Sequence, residues 1–274
     1  MRRHIFKGVR LAILIMIAII LVYPLYLTIN TSLKTQDEYY ADRLGVPETP
    51  RFENYKYVWD QANIGRATRN SFMIMTISVA GQLAIGSLAA YAITKTGIKR
   101  PDRWSHAFLI PLAFSAQIVI IPLFTMFNIM HLFNTLASII FIFIAGGLPL
   151  TIYLLSKFMH SIPNALTEAA RIDGANHITI YSRIIIPLSK VPLITLVVIN
   201  GMNVWNNFFV PFVFITKDSL MTLPQTLIIF QSSWSTSWPH VAAAVIFTIA
   251  PMFIVYFFLQ RYIIEGVGAG AVKG

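Results

Sequence analysis

Lysine, arginine, aspartate and glutamate are absent from residues 11–33, 70–94, 104–156, 191–216 and 219–260, which are filled mainly by aliphatic and aromatic side chains. A helix needs about 20 predominantly apolar residues to cross a hydrocarbon core of roughly 30 Å. The first, second and fourth stretches each supply one crossing. The third has 53 residues and fits two helices joined by a tight turn within NIMHLFN, residues 128–134. The last has 42 residues, but the run TLPQTLIIFQSSWSTSWPH near its start carries prolines and hydroxyls that suit a loop. Only its second half reads as a span. The pattern predicts an all-α polytopic membrane protein, one domain over residues 1–274, with six transmembrane helices at 11–33, 70–94, 104–127, 134–156, 191–215 and 240–260.

Composition agrees, with 56% hydrophobic and 12% charged residues and a mean hydropathy of +0.67. The basic leader MRRHIFKGVR before an apolar run resembles the start of a signal peptide. Its 23-residue core is long for that role and no small-x-small site follows, which favours a retained first helix. The chain has no cysteine, so disulfides, thiolate metal sites and cysteine nucleophiles are excluded.

Charge sets the expected orientation. With six spans, both termini share one side with residues 95–103 and 157–190, and these regions hold 14 Lys and Arg against Asp102, Glu168, Asp173 and Glu265. The other side, residues 34–69 and the loop 216–239, holds seven basic and seven acidic residues. The first side is the expected cytoplasmic one, with a bacterial cytoplasmic membrane as the setting. The net charge of +10 is thereby explained by short juxtamembrane loops, without nucleic acid.

Along the spans, FENYKYVWDQAN is expected to form a short helix on the outer face. Ala80, Ala84, Gly86 and Ala90 allow close helix approach, most simply within the chain. Gly81 and Gly86 have the spacing of a phosphate-binding loop, but no lysine follows Gly86 and the run lies inside an apolar helix. Any ATP chemistry must come from another chain. Pro24, Pro111, Pro122, Pro149, Pro211 and Pro251 fall in or near spans, where each can bend its helix. Asn200, Asn203, Asn206 and Asn207 with Trp205 are candidates for a wet pathway, or for hydrogen bonds between helices, as are Gln82 and Gln117. No charge lies near the middle of a span, which argues against an ion-driven carrier. His4, His106, His131, His160, His177 and His240 form no metal-binding spacing, and the acids lie in loops, so no catalytic residue is assigned.

The polar element EAARIDGANHITIYSRIIIPL, Glu168 to Leu188, stands apart. Ser161 is a candidate cap and Pro163 suits a first helical turn, so NALTEAARIDGA reads as a helix with Leu166, Ala169, Ala170 and Asp173 on one face. Gly174 allows a turn, and a second helical stretch should stop or bend at Pro187.

This element resembles the EAA motif of ATP-binding-cassette importer permeases in Glu168, Ala169, Ala170 and Gly174, with Ile184, Ile186 and Pro187 at its end. FENYKYVW, RNSF, LAAYAITK, LFNT, VWNNFFVPF, LQRYIIEG and GAVKG extend the likeness to the MalG-like carbohydrate permeases. The resemblance implies the type I importer fold. It also implies a MalF-like second permease subunit, two cytoplasmic ATPase subunits that bind ATP and Mg2+, and an extracytoplasmic sugar-binding protein. Within that frame, Glu168, Ala169, Ala170, Asp173 and Gly174 are expected to dock on the ATPase. Gly270, Ala271, Val272, Lys273 and Gly274 resemble a tail that reaches the ATPase interface. Residues 217–239, with Trp234 and Trp238, resemble a loop that meets the binding protein. The expected cargo is an oligosaccharide. Alternatives are a polyol, glycerol phosphate or uronic oligosaccharide, or an assembly subunit that conducts nothing.

Overall fold

The computed structural model describes residues 2–231 and 236–271. The described chain is all-α, with thirteen α-helices and short 3-10 and π segments. The long ones are α1 (Arg2–Ser32), α4 (Ile64–Lys95), α7 (Leu136–Ser161) and α13 (Trp238–Ala271). Four segments, Arg10–Ser32, Ile64–Lys95, Leu136–Ser161 and Trp238–Phe258, are long and apolar enough to cross a bilayer. Two bent pairs raise the number to six if each is one broken span: Pro101–Ala113 with Gln117–Ile129, and His177–Leu188 with Lys190–Trp205. This is the architecture of a multi-pass membrane protein.

The chain divides into two units. The first comprises Met1–Thr68 and Leu223–Pro251. In it the most apolar window of Arg10–Ser32 buries no residue, as suits a helix whose solvent is lipid. After α1 the chain is organised by polar bonds. Thr35 and Glu38 form a reciprocal capping box at the start of α2 (Gln36–Ala41). The Thr35 amide donates to the Glu38 carboxylate at 2.7 Å and holds its pKa below the ordinary range. Asp42 is lowered likewise by the amides of Gly45 and Leu44. Lys34 Nζ donates to Asp42 O, and Asn54 Nδ2 donates to the carbonyls of Ser32 and Lys34. The expected outer helix is α3 (Glu53–Gln61), which buries Val58 completely. Its Tyr55 and Trp59 rings both meet Phe247, and Tyr57 lies over His240 at 4.4 Å.

The second unit comprises Arg69–Thr222 and Met252–Gly274. Between the two long helices lie α5 (Pro101–Ala107), a 3-10 turn at Ile110–Ala113 and α6 (Ala116–Ile129). Extended backbone at Phe114 and Ser115 interrupts this stretch, so residues 104–127 are not one continuous helix. Here α4 lies against α7. A β-carbon on Gly86 would fall 2.5 Å from Thr151 Cγ2, and one on Gly81 would fall 2.7 Å from Ile144 Cδ1. The two glycines with phosphate-loop spacing therefore serve close helix packing. Gly86 and Ala90 are buried, whereas Ala80 and Ala84 remain exposed. Gln82 crosses the same contact and donates to Phe143 O at 2.6 Å.

The 191–215 stretch is also divided, into α11 (Lys190–Trp205) and α12 (Phe209–Phe214). Sixteen residues span roughly 24 Å at 1.5 Å per residue. The break is built by Asn207, whose side-chain carbonyl accepts the Val210 amide. Phe214 and Ile215 then pack with Ile74, Phe127, Ile139, Phe143, Val204 and Val210 in one apolar cluster. A second cluster gathers Ala90, Tyr91, Leu155, Met159, Ile162, Ile180, Ile185 and Leu196 beneath the EAA-bearing segment.

Candidate functional site

The EAA-bearing segment forms a short helix followed by a bent one. Helix α7 runs to Ser161, whose hydroxyl donates back to Phe158 O. Ser161 therefore does not cap the next helix, contrary to expectation, because a carbonyl three residues earlier takes its proton. Pro163 occupies the N-cap of α8 (Asn164–Ile172), just before the first turn. Helix α8 ends in a Schellman arrangement: Ala175 N–H donates to Ala170 O and Gly174 N–H to Arg171 O. This needs the positive φ of +82° that Gly174 adopts. Asn176 then caps α9 (His177–Ile180) by accepting the Thr179 amide. A π segment, Tyr181–Ile185, leads into α10 (Ile186–Leu188). The 75° bend falls at Ser189, not at Pro187, which follows closely on the π segment inside one continuous helical stretch, His177–Leu188.

The faces of α8 separate cleanly. Thr167 is buried and Ala170 packs toward the second apolar cluster. Ala165, Leu166, Glu168, Ala169, Ile172, Asp173 and Gly174 are exposed, with Ile172 reaching 88%. Of the four residues expected on one face, Leu166, Ala169 and Asp173 point outward and Ala170 does not. An 88% exposed isoleucine among alanines is a small apolar surface next to two carboxylates.

The last two turns of α4 hold this segment in place. Ser87 Oγ lies 2.7 Å from Tyr181 OH, and Tyr91 OH lies 3.0 Å from His177 Nδ1. Lys95 is 6% exposed and donates to Ile162 O at 2.6 Å and to Asn164 Oδ1 at 2.8 Å. Arg171 Nη2 returns a bond to Lys95 O at 3.2 Å. Among the described residues the ion pair is Lys157 with Asp102, so the buried Lys95 cation is met by neutral oxygens alone. Sequence reasoning passed over Ser87, Tyr91 and Lys95. Their four-residue spacing, one polar group per turn at the end of a span, was the available signal.

The pathway candidates are scattered by comparison. Asn200 is buried and donates to Thr151 Oγ1 at 2.9 Å. Trp205 is 1% exposed, edge-on to Phe72 at 4.8 Å. Asn207 serves the start of α12. Asn203 and Asn206 are exposed. Gln117 accepts the Ser115 hydroxyl. A cavity of about 300 Å³ between α4, α11 and α13 is walled by residues such as Met75, Val79, Leu83, Val197 and Met252. Its lining suits hydrocarbon rather than sugar hydroxyls. Trp238 is exposed and stacks on Tyr39, while Trp234 lies outside the described residues. Gly270 and Ala271 end α13, and Val272, Lys273 and Gly274 lie outside the described residues. No group of three His, Asp or Glu gathers as a metal site among the described residues.

Residues 67–268 match the family described as the binding-protein-dependent transport system inner membrane component. The chain belongs to this family. It is a non-catalytic, ABC-type permease subunit of a multi-component importer, and it resides in the membrane. Similar proteins include a probable starch degradation products transport permease of Thermoanaerobacterium thermosulfurigenes, 30% identical over 98% of both chains. Another is the melibiose/raffinose/stachyose import permease of Bacillus subtilis, 33% identical over 92% of this chain and 91% of that one. In fold, this permease is similar to a chain of a bacterial ABC transporter that imports the polysaccharide alginate. The TM-score is 0.78 at 24% identity, over 94% of this chain and 96% of that one.

Proposed function

We propose that this permease is the MalG-like half of an oligosaccharide importer and that α8 transmits the state of an ATPase partner to the spans. The termini and residues 157–190 lie in the cytoplasm in this reading, and 34–69 and 216–239 on the opposite side. The observation that carries it is the outward face of α8. Glu168, Ala169 and Asp173 stand with Leu166 and the fully projecting Ile172 on a helix that is fixed from behind by α4. Small residues allow close seating, the isoleucine supplies apolar area, and the carboxylates fix orientation. A MalF-like subunit, two ATPase subunits and a sugar-binding protein complete the assembly, and the tail Gly270–Gly274 is assigned to contact with the ATPases.

Each ATPase state must contact the segment 168–174 unequally, since only a difference in contact free energy shifts a conformational equilibrium. The sugar-related names of the relatives support an oligosaccharide cargo. Asn203 and Asn206, which are exposed, are the better candidates for sugar contacts than Asn200, Asn207 or Trp205.

The test is reconstitution of the permease with its partner subunits. Glu168→Gln should lower sugar-stimulated ATP hydrolysis by about tenfold, the loss of one charge-assisted contact. Unchanged assembly and unchanged stimulation would refute the role. Retention of oligosaccharides, polyols and uronic oligosaccharides by the cognate binding protein decides the cargo.

A further inference from the structure

The geometry points to Lys95 as a positioning residue that locks α8 to the end of α4, so that the two helices move as one body. This rests on the proposed coupling role of α8 and adds the element through which its motion enters the spans. Three hydrogen bonds carry it. Lys95 Nζ reaches Asn164, the first residue of α8, at 2.8 Å. Arg171, in the last turn of α8, reaches back to the Lys95 carbonyl at 3.2 Å. One residue of α4 therefore holds both ends of a nine-residue helix, one through its side chain and the other through its backbone. Lys95 Nζ also donates to Ile162 O, the residue that ends α7, so the cation sits where the negative ends of α4 and α7 meet.

A bond that served only to solubilise lysine would leave it at the surface, where water is a better partner. Instead Lys95 is 6% exposed, and no carboxylate pairs with it among the described residues. Burial of an unpaired cation disfavours folding unless the oxygens around it are held in position. The lock is therefore sensitive to any displacement of Asn164 or Ile162. Beside it opens a polar cleft of about 400 Å³, lined by Thr94, Gly97, His160, Ser161, Ile162 and Asn164. Displacing α8 relative to α4 exchanges the lysine bonds for water, and keeping them forces α4 to follow. The polar pairs Ser87 with Tyr181 and Tyr91 with His177 extend the same attachment along α4 to α9 and the π segment.

The test compares Lys95→Met, Lys95→Arg, Asn164→Ala and Arg171→Gln in the full chain, alone in nanodiscs and in the reconstituted importer. In nanodiscs, Lys95→Met should raise amide exchange across residues 164–172 by about tenfold while leaving residues 139–155 unchanged. Asn164→Ala and Arg171→Gln should each do so by about threefold, and Lys95→Arg should return exchange to within about twofold of the parent. In the importer, Lys95→Met should assemble yet move about fivefold less sugar per ATP hydrolysed, and Lys95→Arg should restore the ratio. Parental exchange in all four variants overturns the lock. Raised exchange with an unchanged transport ratio overturns its role in transmission, and an arginine variant as defective as the methionine one assigns Lys95 to packing alone. If Lys95→Met does not insert, the Asn164 and Arg171 variants decide by the same criteria. The nanodisc measurement needs no ATPase, so failure of the coupling reading, seen with Glu168→Gln, is distinguishable from failure of the lock.

Discussion

A β-carbon placed on Gly86 would stand 2.5 Å from Cγ2 of Thr151, whose hydroxyl donates to Gly147 O and accepts from Asn200. The contact between α4 and α7 thus closes on a methyl group that shares its carbon with a polar junction to α11. Gly86→Ala should destabilise the permease by about 1–3 kcal/mol through overpacking. Thr151→Ser removes the methyl and keeps the hydroxyl, so the double variant should recover most of the loss. Thermal unfolding of the four proteins in detergent checks this. Additive losses would rule out the contact as the cause.

The turn between α6 and α7 rests on Asn134. It adopts φ +59°, accepts the amides of Thr216 and Lys217 through Oδ1, donates through Nδ2 to Thr216 Oγ1, and donates its own amide to Phe214 O. Asn134→Ala loses the side-chain bonds and strains a left-handed backbone, whereas Asn134→Gly loses the bonds alone. The alanine variant should cost about 2–4 kcal/mol and the glycine variant about 1 kcal/mol less. Proteolytic nicking near residues 130–135 and 216–219 provides the measurement. Equal susceptibility of both variants would remove the backbone part of the argument.

Residues 35–45 should loosen in acid. The Glu38 and Asp42 carboxylates are held below their ordinary pKa by backbone amides. Each therefore stabilises the folded segment fully above the ordinary carboxylate range, about pH 4, and that stabilisation disappears as pH falls through the lower folded value. Amide exchange over residues 35–45, corrected for intrinsic rates, should rise below about pH 4 in the parent, and the rise should be blunted in Glu38→Gln with Asp42→Asn. Exchange that is flat with pH in the parent would contradict this assignment.

The all-α membrane architecture was legible because exclusion of charge from lipid is written over twenty residues at a time. The EAA-bearing segment was legible because its polarity interrupts that pattern. Smaller features depended on neighbours distant in sequence. Asn207 read as one more polar position on a helical face, yet it lies beyond the end of α11 and its side chain serves the Val210 amide at the start of α12. Ala170 read as part of an outward face, and only the cluster with Leu155 and Met159 turns it inward. Lys95 was hidden by a sufficient explanation, since a lysine after a span already satisfies the positive-inside tendency. Its partners lie 67 and 69 residues away.

Nine residues are too few for a helix to persist by itself in water, since nucleation costs more than so short a run returns. Helix α8 thus owes its existence to the attachments at Asn164 and Arg171, which draw on a turn of α4 synthesised some seventy residues earlier. During biogenesis the order of events follows: the end of α4 must be complete and in place before Glu168 acquires a defined direction. The outward surface of α8 is a late product of assembly, and a permease whose α4 ended one turn short would carry an unstructured strand of chain in its place.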